Sequence, residues 1–180
     1  MNKNHHLSSH VPPLSYEVCL SVALEILEGQ SYTRHDYLLF LPTLQATCGA
    51  YPEKADLHFL RGVFHLKLGQ IEKAEILVYQ CLNKSCACVL YLALLGMIKN
   101  AHQHSREAIP FLCYARAKYN AHLSILQIIN KATTLSFAQM PLDIREQEQE
   151  VQALFETALP DLPFSLSEDT LPSLDDEEVI

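Results

Sequence analysis

Residues 57–82 read LHFLRGVFHLKLGQIEKAEILVYQCL, and residues 91–115 read YLALLGMIKNAHQHSREAIPFLCYA. In each stretch, apolar residues recur at the three- and four-residue spacing of an α-helix on both sides of a short polar turn. Two such runs joined by a few residues predict an antiparallel helix hairpin. These two hairpins are the main basis for predicting an all-α protein.

The two stretches align when Gly96 is placed on Gly62, and small or apolar residues then occupy matching positions in both. A small residue early in each helix of a hairpin lets the two backbones cross closely, while larger apolar neighbours fill the remaining space. A period of 34 with this pattern resembles the tetratricopeptide repeat. Arg61 departs from the pattern, because an apolar residue is usual before the small residue. The matched pairs are Gly62 and Gly96, Ala74 and Ala108, Val78 and Leu112, and Cys81 and Ala115.

Further helices are predicted on both sides of the two hairpins. An amphipathic helix covers Tyr16 to Leu27. A second, with Thr33 as its N-cap and a kink near Pro42, runs to about Thr47 and is ended by Gly49 and then Pro52. This pair fits the repeat only in its second half, as degenerate terminal repeats often do. Ser105 is the expected N-cap of the last repeat helix. Two more helices are expected over residues 122–139 and 142–159. We therefore expect a tetratricopeptide-like α-solenoid of about three helix hairpins with C-terminal capping helices.

Composition and charge divide the chain into three parts: a polar, His-rich, flexible N-terminal arm at 1–14, a helical domain at 15–158 and an acidic disordered tail at 159–180. The formal net charge is −8, and the segment from Pro160 onward contains acidic residues without Lys or Arg. The rest is nearly neutral and has no clustered basic patch, which argues against nucleic-acid binding. No apolar run reaches the length of a membrane helix. Six cysteines in helical stretches and no secretory leader predict a cytoplasmic protein.

The resemblance to tetratricopeptide repeats also implies a binding surface. In that family, stacked hairpins bend into a solenoid whose concave side is lined by the first helix of each pair. The matching positions are mainly apolar, which favours an extended or helical peptide with hydrophobic anchors over a C-terminal carboxylate clamp. The same positions could instead pack against residues 142–159 or the tail of the chain itself. The groove-facing positions implied in this way are Asp56, Phe59, Val63, Leu66, Lys67, Leu90, Ala93, Met97, Asn100 and Ala101.

Candidate chemistry is sparse. Cys86 and Cys88 are separated from His102 and His104 by one predicted helix, about 20 Å long at 1.5 Å per residue, so they cannot form one metal site. Neither a nucleophile motif nor a phosphate-binding glycine loop occurs. The glutamates near residue 148 lie in a polar stretch, where nothing would shift a carboxyl pKa. We expect no enzyme activity, no metal and no cofactor.

Over about residues 16–139, the chain also resembles the small tetratricopeptide chaperones of bacterial type III secretion. The quoted stretches 57–82 and 91–115, the degenerate first repeat, the length and the acidity carry this resemblance. It is similar both to the class II translocator chaperones and to the needle-subunit co-chaperones. The resemblance implies that the groove holds an apolar segment of a secreted subunit and keeps that client soluble. It is also compatible with assembly as a homodimer or as a heterodimer with a co-chaperone. The alternative is a general tetratricopeptide scaffold that joins two proteins.

Overall fold

A computed structural model of the chain describes residues 11–29, 31–84 and 88–139. These residues form seven α-helices and no β-strand, so the all-α prediction is confirmed for the described part of the chain. The helices are α1 (Tyr16–Glu28), α2 (Arg34–Ala50), α3 (Ala55–Lys67), α4 (Ile71–Lys84), α5 (Val89–Ala101), α6 (Ser105–Lys118) and α7 (Leu123–Ala138).

The 34-residue period is a period of the backbone as well as of the sequence. Helices α3, α5 and α7 each begin one period after the previous one, and α4 and α6, both 14 residues long, are also one period apart. The turns after α3 and α5 also match, because Gly69 (φ 75°) and Gln103 (φ 65°) both adopt a left-handed conformation. In each turn the N–H of the next residue donates to a carbonyl oxygen five residues earlier: Gln70 to His65 and His104 to Lys99, both over 2.9 Å. The register therefore extends to α7, which we expected only as a capping helix.

The helices pack in chain order. Each helix contacts the next one, and the odd-numbered helices also contact one another in the pairs α1 with α3, α3 with α5, and α5 with α7. The odd-numbered helices thus form one layer, with even-numbered helices against it. This arrangement is compatible with an α-solenoid or another helical repeat. Burial of apolar side chains between the layers is the main stabilising term. The largest fully buried side chains include Leu44, Leu57, Phe59, Leu60, Phe64, Leu82, Leu94, Ile98, Leu112, Ile125 and Ile129.

Local details confirm some of the predicted helix ends and correct others. Thr33 caps α2 as predicted: its backbone N–H donates to Asp36 Oδ2 over 2.6 Å in a capping box. Helix α2 continues through Gly49 to Ala50 and ends before Pro52, so of the two predicted breakers Gly49 does not end it. Ser105 is the first residue of α6 and not its N-cap, since His104 holds that position and the Ser105 hydroxyl bonds elsewhere. The expected helix at 142–159, the arm at 1–10 and the tail lie outside the described residues.

Gly62 and Gly96 share a register position but serve different contacts. A Cβ at Gly96 would lie 2.8 Å from Leu112 Cγ and 3.1 Å from the Ala108 carbonyl oxygen, both in α6. Gly96 therefore allows the close crossing within a hairpin, as the sequence predicts. A Cβ at Gly62 would lie 2.2 Å from Leu94 Cδ2 in α5, which belongs to the next hairpin. The expected role of Gly62 is corrected: its closest approach is to a neighbouring hairpin and not to α4.

Candidate functional site

A groove of about 470 Å³ lies along the layer of odd-numbered helices. Its walls come from the C-terminal half of α3 and of α5, from α7, and from one residue near the end of α1. The turn after α5 and the C-cap of α7 complete the rim. Its lining residues are Leu27, Val63, Leu66, Lys67, Met97, Asn100, Ala101, Gln103, Ile128, Lys131, Ala132, Leu135 and Gln139.

The groove is built from equivalent positions of successive helices. Val63, Met97 and Lys131 occupy one register position in α3, α5 and α7, because each lies one repeat period after the last. Lys67, Ala101 and Leu135 occupy a second one. Repetition of the same two positions along three helices produces a continuous surface, because each helix presents the same face. This regularity explains why the groove crosses hairpin boundaries without interruption.

The structure brings together the C-terminal part of the predicted groove set and separates the rest. Among the predicted positions, those that line the groove are Val63, Leu66, Lys67, Met97, Asn100 and Ala101. Those that do not line it are Asp56, Phe59, Leu90 and Ala93. Phe59 and Ala93 are 0% exposed and belong to the core, and Leu90 is buried with them. In α3 and α5, the predicted positions near the N-terminal end are therefore mostly buried, and Val63 is only 1% exposed although it lines the groove. The accessible members of the predicted set are Leu66, Lys67, Met97 and Ala101.

Two tyrosines lie against the N-terminal end of α3. The Tyr16 hydroxyl donates a hydrogen bond to the Asp56 carboxylate, and burial together with this bond raises the pKa of Tyr16. Burial raises the pKa of Tyr119 to about 12, and the negative charge of Asp56 adds to the increase. Lys54 Nζ lies 4.6 Å from the centre of the Tyr16 ring. Asp56 is thus bound by Tyr16 of its own chain and is not presented to a partner.

A polar network closes one end of the groove. The Ser105 hydroxyl lies 2.8 Å from Asn100 Oδ1 and 2.8 Å from Gln139 Oε1. Asn100 is buried, so its amide needs such a partner to offset the loss of contact with water. The network joins the end of α5, the start of α6 and the C-cap of α7. It fixes the position of α7 against the hairpin that precedes it.

The groove combines an apolar floor with a positively charged rim. Leu66, Met97 and Ile128 are partly exposed, and Leu135 is 51% exposed. Lys67 and Lys131 are exposed on the rim, and no Asp or Glu is among the lining residues that the structure describes. Apolar anchors with acidic neighbours would therefore match this surface best.

Helices α7 and α1 also contribute to the groove, which the repeat pattern does not predict. A signal for α7 was present, since its first turn lies one period after that of α5, but Asn130 occupies the position equivalent to Gly62 and Gly96. Because Asn130 is not a small residue, the sequence pattern did not show that α7 continues the 34-residue register. Leu27 gave no comparable signal, because the first hairpin departs from the repeat register. The lining residues missed were Leu27, Gln103, Ile128, Lys131, Ala132, Leu135 and Gln139.

The potential metal ligands and nucleophiles do not converge in the described part of the chain. No group of three His, Cys, Asp or Glu side chains suited to a metal ion occurs there. His102 and His104 have ring centres 6.4 Å apart, with His102 Nε2 3.8 Å from Glu75 Oε2. Cys86 lies outside the described residues. Burial raises the pKa of Cys48 to about 12, so this thiol is protonated at neutral pH.

Comparison with known proteins finds no protein-family model, no curated protein and no solved structure that matches the chain. Within residues 11–29, 31–84 and 88–139, none of the helices has the length and apolar character needed to cross a membrane.

Proposed function

We propose that this chain is a tetratricopeptide-type chaperone that holds an apolar segment of another protein in the groove between α3, α5 and α7. The observation that carries the proposal is the groove itself: residues of α3, α5 and α7 line one continuous groove with Lys67 and Lys131 on its rim. Its accessible apolar side chains are Leu66, Met97, Ile128 and Leu135. A helix or extended segment with apolar anchors can bury those side chains there. The resemblance to type III secretion chaperones supports a secreted needle or translocator subunit as the client.

The mechanism follows from burial of apolar surface. A secretion subunit with an exposed apolar face would aggregate or assemble prematurely in the cytoplasm. Contact with Leu66, Met97 and Leu135 removes that face from water and keeps the client monomeric. A stable complex of this kind buries roughly 1,200–2,000 Å² in total. Lys67 and Lys131 favour a client segment with acidic side chains beside its apolar anchors, since opposite charges steer association.

Co-expression tests this proposal with each small secreted subunit encoded beside the gene of this protein. The variants are Met97→Asp and Leu135→Asp, because both positions are accessible in the groove. Leu123→Asp is the matched control, since Leu123 is 70% exposed on α7 and does not line the groove. We expect wild type and Leu123→Asp to raise the soluble fraction of one subunit, and both groove variants to lose that effect with an unchanged helical circular dichroism signal. Equal activity of all four proteins would refute the groove assignment.

A general scaffold is the second candidate, and exposed apolar residues on α2 favour it. Leu38 is 46% exposed and Leu39 is 64% exposed, although neither lines the groove. A scaffold that joins two proteins needs a second surface of this kind. The variant Leu39→Asp distinguishes the two functions: it would leave client solubility unchanged for a chaperone, but would remove one of two bound partners from a scaffold.

A further inference from the structure

A second cavity of about 550 Å³ lies between α2, α3 and α4, and Tyr91 of α5 also contributes to it. It shares no lining residue with the groove. Polar and charged side chains make up much of its wall. Its lining includes Cys48, Glu53, His58, Arg61, Cys81, Lys84, Cys88 and Tyr91.

Arg61 is an unpaired cation in this wall. Its Nε is buried without a hydrogen-bond partner. No hydrogen bond or ion pair joins its guanidinium group to any residue that the structure describes. Arg61 as a whole is partly exposed, but a buried guanidinium nitrogen without a partner is costly, because its lost hydration is not replaced. This is also the position at which the sequence departs from the apolar residue usual in the repeat.

The neighbouring thiols do not neutralise Arg61. Burial raises the pKa of Cys48 to about 12 and raises the pKa of Cys81 as well, although the charge of Arg61 acts in the opposite direction on both. Both thiols are therefore protonated and uncharged at neutral pH. The positive charge of Arg61 remains available to a ligand.

The other titratable groups in the wall leave a small positive balance. His58 Nε2 lies 3.2 Å from the Pro52 carbonyl oxygen and donates to it, and burial lowers the pKa of His58, so this imidazole is neutral. Lys84 adds one positive charge and Glu53 one negative charge. Together with Arg61 these groups carry about one net positive charge. A single carboxylate balances that charge, whereas a dianionic phosphate would exceed it.

We propose that this cavity is a carboxylate-binding site with Arg61 as its principal ligand. A guanidinium group binds a carboxylate through two parallel hydrogen bonds, which suits a planar anion better than a spherical one. Two sources can supply the group: the acidic segment 161–178 of this chain, which contains seven Asp and Glu residues and no Lys or Arg, or an acidic side chain of another protein. The experiment below separates these two sources.

The test follows the Nε–H resonance of Arg61 by NMR in the full-length ¹⁵N-labelled protein. Its assignment comes from the loss of that resonance in Arg61→Met, with Arg61→Lys as the second variant if the first does not fold. Exposed Arg106 serves as an internal control for general salt effects. A second full-length protein has the acidic residues of segment 161–178 changed to their amides. The probes are sodium acetate, a synthetic peptide of residues 161–178 and inorganic phosphate.

We expect acetate and the peptide to shift the Arg61 resonance saturably in the amide-substituted chain, with no matching shift at Arg106. If the wild-type resonance already lies at the shifted position, the chain binds its own acidic segment. If the wild-type and amide-substituted chains start at the same position and both respond to the peptide, the source is another protein. No saturable shift with acetate or peptide in either chain would overturn the proposal, as would a response to phosphate alone.

Discussion

The hairpins α3–α4 and α5–α6 have the same backbone but different side-chain environments. Their helices have equal lengths and a 34-residue offset, and both turns contain one residue with positive φ. Yet Phe59 in the first hairpin corresponds to Ala93 in the second, and Arg61 corresponds to Leu95. The shared features are those that a backbone needs in order to turn and cross. Of these differing residues, Arg61 lines the second cavity, whereas Phe59, Ala93 and Leu95 are buried in the core.

The largest expected difference in stability is between a substitution in the buried part of α3 and one in the part of α3 that lines the groove. Phe59→Ala removes a fully buried ring and should lower the free energy of unfolding by about 3–5 kcal/mol. Leu66→Ala should lower it by about 1 kcal/mol or less, because Leu66 is partly exposed. Urea unfolding followed by circular dichroism measures both. For the same reason, Phe59→Asp tests the fold and is unsuitable as a test of binding. Similar losses for the two alanine variants would contradict the division of α3 into a buried and an accessible half.

The two helix glycines should respond differently to a second substitution. Gly62→Ala and Gly96→Ala should each cost about 1–3 kcal/mol, since both introduce a methyl group into a close contact. Leu94→Val should relieve Gly62→Ala, because the obstructing atoms belong to the end of that side chain. Leu112→Val should not relieve Gly96→Ala, because the Ala108 carbonyl oxygen and Phe111 Cβ still obstruct the methyl group.

Double-mutant cycles measured by denaturant unfolding provide the check. We expect a favourable coupling energy of about 1 kcal/mol between positions 62 and 94, and one close to zero between positions 96 and 112. Equal coupling in the two cycles would mean that both glycines serve the same kind of contact.

The smallest effect concerns the two turns. Gly69→Ala should lower the free energy of unfolding by about 1 kcal/mol, because a side chain is strained at φ 75°. Gln103→Gly should raise it by about 0.5 kcal/mol, since it removes that strain at the equivalent position. Thermal unfolding of each variant and of the wild type shows whether the substitution raises or lowers stability. A loss of stability in Gln103→Gly would show that the Gln103 side chain contributes to the groove rim beyond its backbone strain.

Much of the fold could be predicted from periodicity, whereas the accessible surface could not. Apolar spacing located the helices of both hairpins, and Thr33 and Asp36 marked the start of α2. The sequence could not distinguish Phe59 from Leu66, because both occupy apolar positions on the same helix. Their different exposure depends on packing between helices, which apolar spacing along one helix does not encode. The cavity beside Arg61 was equally hidden, since its walls come from residues far apart in sequence.

The central claim is that the groove, and not another face, contacts the client. Site-specific photocrosslinking tests it most directly, with p-benzoylphenylalanine introduced at Leu135 in one full-length protein and at Leu123 in another. Both residues are exposed on α7, but only Leu135 lines the groove. We predict an intermolecular crosslink to the co-expressed client from position 135 and none from position 123. A crosslink from position 123 alone, or one from position 135 only to residues 142–159 of the same chain, would contradict the account.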